Sequence, residues 1–242
     1  MADRTLDLMT VIVPSRGRPE NIRRLAEAWI ATGASSGTAL IVAVDEDDPQ
    51  RHEYEELAPS IADFGGVLIL NTSEPRIRLG GILNYLGYAY ATESLSQYIG
   101  FMGDDHLPRT PCWDTAVSGA LDDLGSGIVY GNDLLQGEKL PTAAFMTADI
   151  IRTLGSMCPP TLEHLYIDNA WLELGRAMGR LRYLPDVVIE HLHPAAGKAA
   201  TDQTYAEANA PDRYRRDRAA FETWRSDGLP RDLELLRAAG VC

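Results

Sequence analysis

Short apolar runs alternate with segments of helical periodicity through the first half of the chain. The runs MTVIVPS, TALIVAV, GGVLILN and QYIGFMG are apolar and have the length of buried strands. After Pro19, Leu79 and Trp113, apolar residues recur every three or four positions, which predicts helices. Parallel strands need such crossovers and are covered on both faces, so we expect an α/β fold with a mostly parallel central sheet flanked by helices.

The second half is less regular but still contains periodic segments. SGIVYGNDLL predicts a strand, and TADIIRTLG predicts a helix that is capped by Thr147 and stops at Gly155. IDNAWLELGRAMG predicts a helix with Asp168 near its start, and LRYLPDVVIEHLHP predicts a turn followed by a strand. A last helix is expected over residues 211–224.

Length and composition are those of a globular protein. The chain has 242 residues, which is enough for one large domain. We expect residues 1–194 to form that domain and residues 195–242 to form a C-terminal tail and helix folded over it. The apolar runs are too short to span a bilayer, no secretory signal is recognisable, and the three cysteines form no CxxC pair. We therefore expect a cytoplasmic protein without a transmembrane segment.

Polar sequences follow three of the four predicted strands, at the point where each strand ends. These sequences are SRGRP, DEDD and GDDH. Because ligands of open α/β sheets bind outside the carboxyl ends of the strands, we expect a binding site where these sequences converge. The net charge of −13 argues against non-specific nucleic-acid binding, which depends on Lys and Arg contacts with phosphates.

Asp104 and Asp105 are adjacent carboxylates at the end of the fourth predicted strand. Two like charges at this spacing repel each other, and a bound divalent cation would balance them. Mg²⁺ prefers carboxylate oxygens and shares ligation with substrate phosphates, so one Asp could meet the metal while its neighbour meets a sugar. The alternative is a turn with two solvated acids.

Each of the other polar residues near the predicted strand ends has two possible roles. Asp45 is either a turn residue or an acceptor for a nucleobase or ribose. Arg16 and Arg18 either face a phosphate or are solvated. His191 and His193 are either structural or complete a coordination sphere that carboxylates begin.

Seven segments occur together in one order between about residues 9 and 194: VIVPSRGRPENI, VAVDEDD, GGILNYLGYAYA, YIGFMGDDHLP, MTADIIRTLG, YIDNAWLELG and EHLHP. In this order they resemble the GT-A-fold nucleotide-sugar glycosyltransferases of the family-2-like pattern, including small enzymes of bacteria and phages. The resemblance implies a Rossmann-like sheet and transfer of a sugar from a nucleoside-diphosphate sugar to a hydroxyl group. It also implies a divalent cation, Mn²⁺ or Mg²⁺.

The resemblance implies roles for individual residues. Asp104 and Asp105 would form the aspartate metal motif, with His191 or His193 as a further ligand, and Asp168 would be the general base of an inverting reaction. Lys198, Arg213 or Tyr205 in the tail could close over the diphosphate. The resemblance also implies three regions that contact the nucleotide. They are the end of the first strand, the acid that would bind the nucleobase, and the segment around Gly80–Gly81, and their residues are Pro14, Ser15, Arg16 and Arg18, then Asp45, then Arg78 and Asn84.

Two positions depart from the family pattern. The metal motif is GDD rather than Asp-x-Asp, so either aspartate could be the direct ligand. Ile167 precedes Asp168 where the family has Glu, so Asp168 could instead cap a helix. In that case the reaction would be retaining or would use another acid, such as Asp133 or Glu163.

The expected partners are a nucleotide-sugar donor and an acceptor that is a glycan, a protein or a modified nucleobase. Two other functions stay open, a sugar nucleotidyltransferase and a non-catalytic nucleotide- or glycan-binding module. SRGRPEN has one glycine and lacks the Gly-rich signature that nucleotidyltransferases carry after the first strand. No GxGxxG follows that strand either, which disfavours a dinucleotide-dependent dehydrogenase.

Overall fold

The computed structural model describes residues 7–71, 77–93, 96–193, 197–198 and 203–242. Within these ranges the chain forms an eight-stranded sheet. Its strands are β1 Asp7–Ser15, β2 Thr38–Asp45, β3 Val67–Asn71, β4 Ser96–Phe101, β5 His106–Pro108, β6 Ile128–Asn132, β7 Ala144–Thr147 and β8 Leu181–His191.

Helices connect and cover these strands. In chain order they are α1 Pro19–Ala31, α2 Arg51–Ala62, α3 Leu79–Thr92, α4 Trp113–Leu124, α5 Ala148–Leu154, α6 Ile167–Met178, α7 Gln203–Ala208, α8 Pro211–Thr223 and α9 Leu229–Ala238. Gly137–Lys139 forms a 3₁₀ turn and Trp224–Gly228 a π-helical turn. No helix in the described part of the chain is long and apolar enough to cross a membrane.

The strand order is β3-β2-β1-β4-β7-β6-β8-β5. Strands β1, β2, β3 and β4 run parallel to one another, β7 runs antiparallel to β4 and β6, and β8 is parallel to β6. The carboxyl ends of β1, β2, β4, β6 and β8 therefore lie at one edge of the sheet. The predicted mostly parallel α/β sheet is confirmed, and the converging strand ends follow from it.

Apolar side chains cover both faces of the sheet, as the continuous apolar runs predict. In β1, Val11 and Val13 pack on one face while Ile12 packs on the other. Every residue of β2 is buried. Burial on both faces excludes water from the backbone of the central strands, which fixes the positions of their carboxyl ends.

Several elements were not predicted. Helix α2 has a weak apolar period, and strands β5 and β7 are too short to show one. Helix α9 was also missed, although its apolar residues do recur at helical spacing. The turn expected in LRYLPDVV is instead part of β8, which continues through a bulge opposite Gly131 and Asn132. The bulge accommodates Pro185, which cannot donate to a regular ladder.

The C-terminal helices share the main core. Phe221, Trp224 and Leu236 belong to the same buried cluster as Ile12 and Ile99 of the sheet. The predicted boundary between residues 194 and 195 falls outside the described residues, so the division into domain and tail stays a prediction. Within the described residues, helix α9 contacts helices α5 and α6.

Candidate active site

A cavity of about 330 Å³ opens at the carboxyl edge of the sheet. It is bounded by the loops after β1, β2 and β4, the segment before α6, and the residues around α7. Tyr205 and Arg213 of the C-terminal region line it. So do most of the residues singled out from the sequence: Pro14, Ser15, Arg16, Arg18, Asp45, Arg78, Asp104, Asp105, Asp168, His191 and His193.

Asp104 is buried and hydrogen-bonded to the first strand's loop. Ser15 Oγ donates to Asp104 Oδ2 at 2.6 Å, and Arg18 Nη1 lies 3.2 Å from Oδ1. Asn21 Nδ2 is a more distant donor to the same Oδ1, at 3.5 Å. Burial raises the pKa of Asp104, Arg18 opposes that shift, and the neighbouring Asp105 adds to it. Both oxygens of Asp104 are therefore used within the protein, and this carboxylate ties β4 to β1.

Among the described residues, the carboxylate of Asp105 is not hydrogen-bonded to the loop after β1 but lies beside two histidines. Its Oδ1 lies 3.3 Å from His106 Nδ1, and its Oδ2 lies 3.4 Å from His191 Nε2. Burial alone would raise the pKa of Asp105, but its interactions with the imidazoles of His106 and His191 outweigh burial and lower the pKa. A Cβ at Gly103 would lie 2.7 Å from Asp105 Oδ1 and 2.8 Å from His106 Nδ1, so only glycine leaves room for this arrangement.

The two histidines are cross-strand partners. His106 on β5 pairs with His191 on β8, and their rings stack with centroids 4.1 Å apart. One ligand atom from each of Asp105, His106 and His191 can lie within 4.8 Å of the others, which is close enough to share a metal ion. Oxygen and imidazole donors together suit Mn²⁺ better than Mg²⁺, which prefers oxygen alone. The donor set therefore fits a divalent cation.

We call Asp105, His106 and His191 the Asp105 cluster. The negative charge of Asp105 is balanced by a group within the protein. Burial lowers the pKa of His191, but the nearby carboxylates of Asp105 and Asp133 outweigh burial and raise the pKa to about 9. A protonated His191 thus supplies the positive charge that a cation would otherwise bring, and metal binding would release that proton. His106 was not singled out from the sequence, although its position directly after Asp105 was the available signal.

Asp133 lies next to the Nδ1 side of the His191 ring, while Asp105 lies next to its Nε2 side. Asp133 Oδ1 accepts N–H bonds from Leu135, Gln136 and Gly137 at 2.7 to 2.9 Å, and its Oδ2 accepts the Thr142 hydroxyl at 2.9 Å. The ring of His191 lies 3.9 Å from the same Oδ2. Asp133 does not line the cavity. It is held as a structural acid, which disfavours it as an alternative catalytic base.

Asp45 ends β2 and forms an ion pair with Arg16. Arg16 Nη1 lies 3.1 Å from Asp45 Oδ2 and 2.6 Å from Asp47 Oδ1. Asp45 is nearly buried, whereas Asp47 is exposed. The pair of Asp45 and Arg16 forms a cavity wall that offers both an acceptor and donors to a polar ligand.

Asp168 lies in the first turn of α6. The N-cap of that helix is Tyr166, in a left-handed conformation with φ of 66°, so Asp168 is not the cap. Burial raises the pKa of Asp168, while hydrogen bonds from backbone N–H groups oppose that shift. Glu163, the other alternative base, does not line the cavity and pairs with Arg216 at 3.0 Å.

His164 is a cavity residue that the sequence did not reveal. It lies in the irregular segment before α6, where no periodic pattern marks its position. Burial lowers its pKa to about 4, and the charges of Arg213, Arg78 and Arg18 act in the same direction against the opposing charge of Asp217. The imidazole is therefore neutral at pH 7 and offers one donor and one acceptor.

Two predicted site residues lie elsewhere. Asn84 does not line the cavity, because its Oδ1 accepts the N–H groups of Met157 and Cys158 at 2.9 and 2.8 Å and so holds a loop against α3. Lys198 is exposed, and its Nζ pairs with Glu190 Oε1 at 2.8 Å, away from the cavity. The segment Gly80–Gly81 belongs to the first turn of α3.

No protein-family model matches the chain, and no curated protein matches it in sequence. Solved structures do match in fold. One is mannosyltransferase PcManGT from Pyrobaculum calidifontis in complex with GDP-Man and Mn²⁺, with a TM-score of 0.60, 16% identity, and coverage of 96% of this chain and 73% of that one. Another is glucosyl-3-phosphoglycerate synthase from Mycobacterium tuberculosis with Mn²⁺, UDP and phosphoglyceric acid, with a TM-score of 0.59, 13% identity, and coverage of 91% and 79%.

S. aureus TarS, residues 1–349, matches with a TM-score of 0.56 and 12% identity, over 75% of this chain. The matched part covers 59% of that TarS structure. Identities this low establish the fold and leave activity to be argued from the site. The predicted resemblance to nucleotide-sugar glycosyltransferases is confirmed at the level of fold.

Proposed function

We propose that this protein is a metal-dependent glycosyltransferase that moves a sugar from a nucleoside-diphosphate sugar to a hydroxyl acceptor. The observation that carries the proposal is one cavity that joins the Asp105 cluster, Asp45 and Asp168 at the carboxyl edge of a glycosyltransferase fold. The neighbour PcManGT is a mannosyltransferase in complex with GDP-Man and Mn²⁺, which favours sugar transfer over nucleotidyl transfer.

The nucleotide would bind across the ends of β1 and β2. Asp45 can accept an N–H of the base or a ribose hydroxyl, and the backbone around Pro14 and Ser15 would lie beside it. Arg78 lines the cavity and forms no ion pair within the described ranges of the chain, so its guanidinium is available to a phosphate.

Asp105 and His191 would hold the cation, with His106 as a third donor. Asp104 would orient that site by linking β4 to Ser15 and Arg18, rather than acting as a ligand. A bound divalent cation neutralises the negative charge that develops on the departing nucleoside diphosphate. The mixed nitrogen and oxygen donors favour Mn²⁺. His193 contacts the edge of the His191 ring and would shape the rim of the site.

Asp168 would accept the proton of the acceptor hydroxyl. A hydroxyl is a weak nucleophile until a positioned base removes its proton, and the raised pKa of this buried carboxylate makes it a stronger base than a solvated one. The deprotonated acceptor oxygen would then attack the anomeric carbon as the bond to the departing nucleoside diphosphate breaks, and this single displacement inverts the configuration. Tyr205 and Arg213 also line the cavity and would limit the access of water to the donor.

A thermal-shift screen tests the donor half of the proposal. The full chain is heated with UDP-, GDP- and dTDP-sugars, each with Mn²⁺, with Mg²⁺ or with chelator. A ligand that binds only the native state raises its melting temperature. We expect one nucleotide class to stabilise the protein with Mn²⁺ and to lose that effect with chelator. Equal melting temperatures in all mixtures would contradict the proposal.

A further inference from the structure

The wall of the cavity before α6 has no regular secondary structure of its own. Residues 162–166 lead from the α5 region into α6, and His164, Leu165 and Tyr166 all line the cavity. Asp168 follows two residues later. The position of this segment therefore determines where both His164 and Asp168 stand relative to a bound substrate. We call residues 162–166 the α6 entry segment.

The C-terminal helix α8 holds this segment through one carboxylate. Asp217 is 0% exposed. Its Oδ2 accepts the backbone N–H of His164 at 3.0 Å and that of Leu165 at 2.7 Å, and its Oδ1 accepts the more distant N–H of Glu163 at 3.4 Å. Three successive backbone donors thus converge on one buried side chain.

Helix α3 holds the same segment from the other side. Gly80 N–H donates to the carbonyl oxygen of Glu163 at 2.9 Å. A Cβ at Gly80 would lie 2.1 Å from the carbonyl oxygen of Leu162, so the helix and the segment can approach this closely only with glycine. The entry segment is therefore fixed between the first turn of α3 and the middle of α8.

Aromatic packing extends the contact with α8. The Tyr166 ring stacks on Phe221, with centroids 5.3 Å apart and planes 20° apart. Phe221 lies one helical turn beyond Asp217, so both side chains project from one side of α8. Tyr166 itself has a φ of 66°, a conformation that costs a non-glycine residue energy and that these contacts must sustain.

The contact between α8 and the α6 entry segment is made by a buried carboxylate. Asp217 forms no ion pair with any described residue, so backbone N–H groups carry the stabilisation of its charge. An apolar side chain would avoid the cost of burying a charge, but it would leave three backbone donors without a partner. The Asp217 carboxylate fixes the positions of the peptide groups of Glu163, His164 and Leu165.

We propose that Asp217 is a positioning residue for the transfer reaction, which holds the α6 entry segment so that His164 and Asp168 face the substrate. The proposal rests on the function proposed above. Asp217 lies outside the cavity lining. Through it, the C-terminal helix contributes to catalysis without supplying a reacting group.

The test compares Asp217→Ala and Asp217→Asn with wild type, and uses Glu222→Gln, an exposed position on the same helix, as the matched control. Release of nucleoside diphosphate from UDP-glucose and GDP-mannose with Mn²⁺ gives kcat and KM, with water as acceptor. Calorimetry with UDP or GDP and Mn²⁺ counts the folded, binding-competent fraction of each preparation. The rates are expressed per binding-competent molecule, so that a loss of stability does not register as a loss of rate.

We expect Asp217→Ala to lower kcat by about 10²-fold with donor KM unchanged, because misplacement of catalytic groups by about 1 Å has that effect. Asp217→Asn keeps an oxygen for two of the three N–H groups and should retain an intermediate kcat. Glu222→Gln should match wild type. Should Asp217→Ala not fold, Phe221→Leu removes the stack under Tyr166 and should also lower kcat with KM unchanged.

The outcomes separate the two proposals. A wild-type protein that binds none of the UDP-, GDP- and dTDP-sugars, and releases nucleoside diphosphate from none of them, overturns the proposed function. An active wild type with a normal kcat in binding-competent Asp217→Ala overturns the positioning role alone. A drop in kcat that disappears once the binding-competent fraction is counted would mean that Asp217 serves stability only, and would overturn the positioning role as well.

Discussion

Asp104 and Asp105 are neighbours in sequence but have opposite environments. Asp104 is hydrogen-bonded to Ser15 and Arg18, whereas Asp105 faces His106 and His191. The sequence predicted a shared site for the pair but left open which carboxylate meets the metal, because the choice depends on partners almost 90 residues away in each direction. Contacts at that separation leave no local pattern to read.

The difference between the two aspartates predicts different mutant behaviour. We expect Asp105→Asn to weaken Mn²⁺-dependent nucleotide binding by at least about 10²-fold, since loss of even an outer partner of a metal site costs 10- to 100-fold. Asp104→Asn should instead lower the melting temperature more than it changes the dependence on Mn²⁺. Calorimetry and thermal melting on both variants check this, and an Asp105→Asn protein with wild-type affinity would reassign the metal site.

Asp168→Asn tests the catalytic base. The amide keeps the size of the side chain but cannot accept a proton, so kcat should fall by about 10² to 10⁴ while nucleotide and Mn²⁺ affinities stay near wild type. Glu163→Gln is the matched control, because Glu163 points to Arg216 rather than into the cavity. Rates measured on both variants decide the point. Near-normal turnover in Asp168→Asn would remove it from the mechanism.

His164 predicts a pH dependence of stability. Its folded pKa of about 4 is below the ordinary value of 6.5, so as pH falls the unfolded chain takes up the proton first. The contribution of His164 to the free energy of unfolding is therefore constant above about pH 6.5, and the free energy of unfolding decreases as the pH falls from there to about pH 4. Urea unfolding of wild type and His164→Gln across this range should show a shallower decline in the variant, and parallel declines would contradict the shift.

At the scale of elements, the long apolar strands were predictable and the short ones were not. β1, β2, β3 and β4 are continuous apolar runs, and their order predicted where the polar loops would converge. β5 has three residues and β7 has four, too few for a period to show. Yet β5 pairs His106 with His191, so the missing strand also hid a candidate metal ligand.

Gly103, in the loop between β4 and β5, provides a test at this scale. Gly103→Ala would push a Cβ into Asp105 Oδ1 and His106 Nδ1, so we expect weaker Mn²⁺-dependent nucleotide binding in a folded protein. Gly119→Ala on α4 has open space around the new Cβ, so it should leave binding unchanged and stabilise the helix by about 0.5–1 kcal/mol. Calorimetry and urea unfolding measure both effects, and equal binding by the two variants would exclude the tight packing at Gly103.

At the scale of the whole molecule, the sequence led to the right fold but not to the part played by the C-terminal region. The order of the seven segments carried the resemblance, while the tail was expected only to fold over the site. In the structure, α8 and α9 complete the main core, and Asp217 reaches the wall that carries His164. A polar helix such as α8 shows a weak apolar period, so one buried aspartate in a charged segment gave no sign of its role.

The account as a whole rests on metal-dependent cleavage of a nucleotide sugar. The most direct measurement is the release of nucleoside diphosphate from UDP-, GDP- and dTDP-sugars by the full chain with Mn²⁺, with chelator, and with Asp105→Asn in place of wild type. The account predicts release from one nucleotide class with Mn²⁺, and loss of that release with chelator and in the variant. Release that persists in both controls, or no release from any donor, would contradict it.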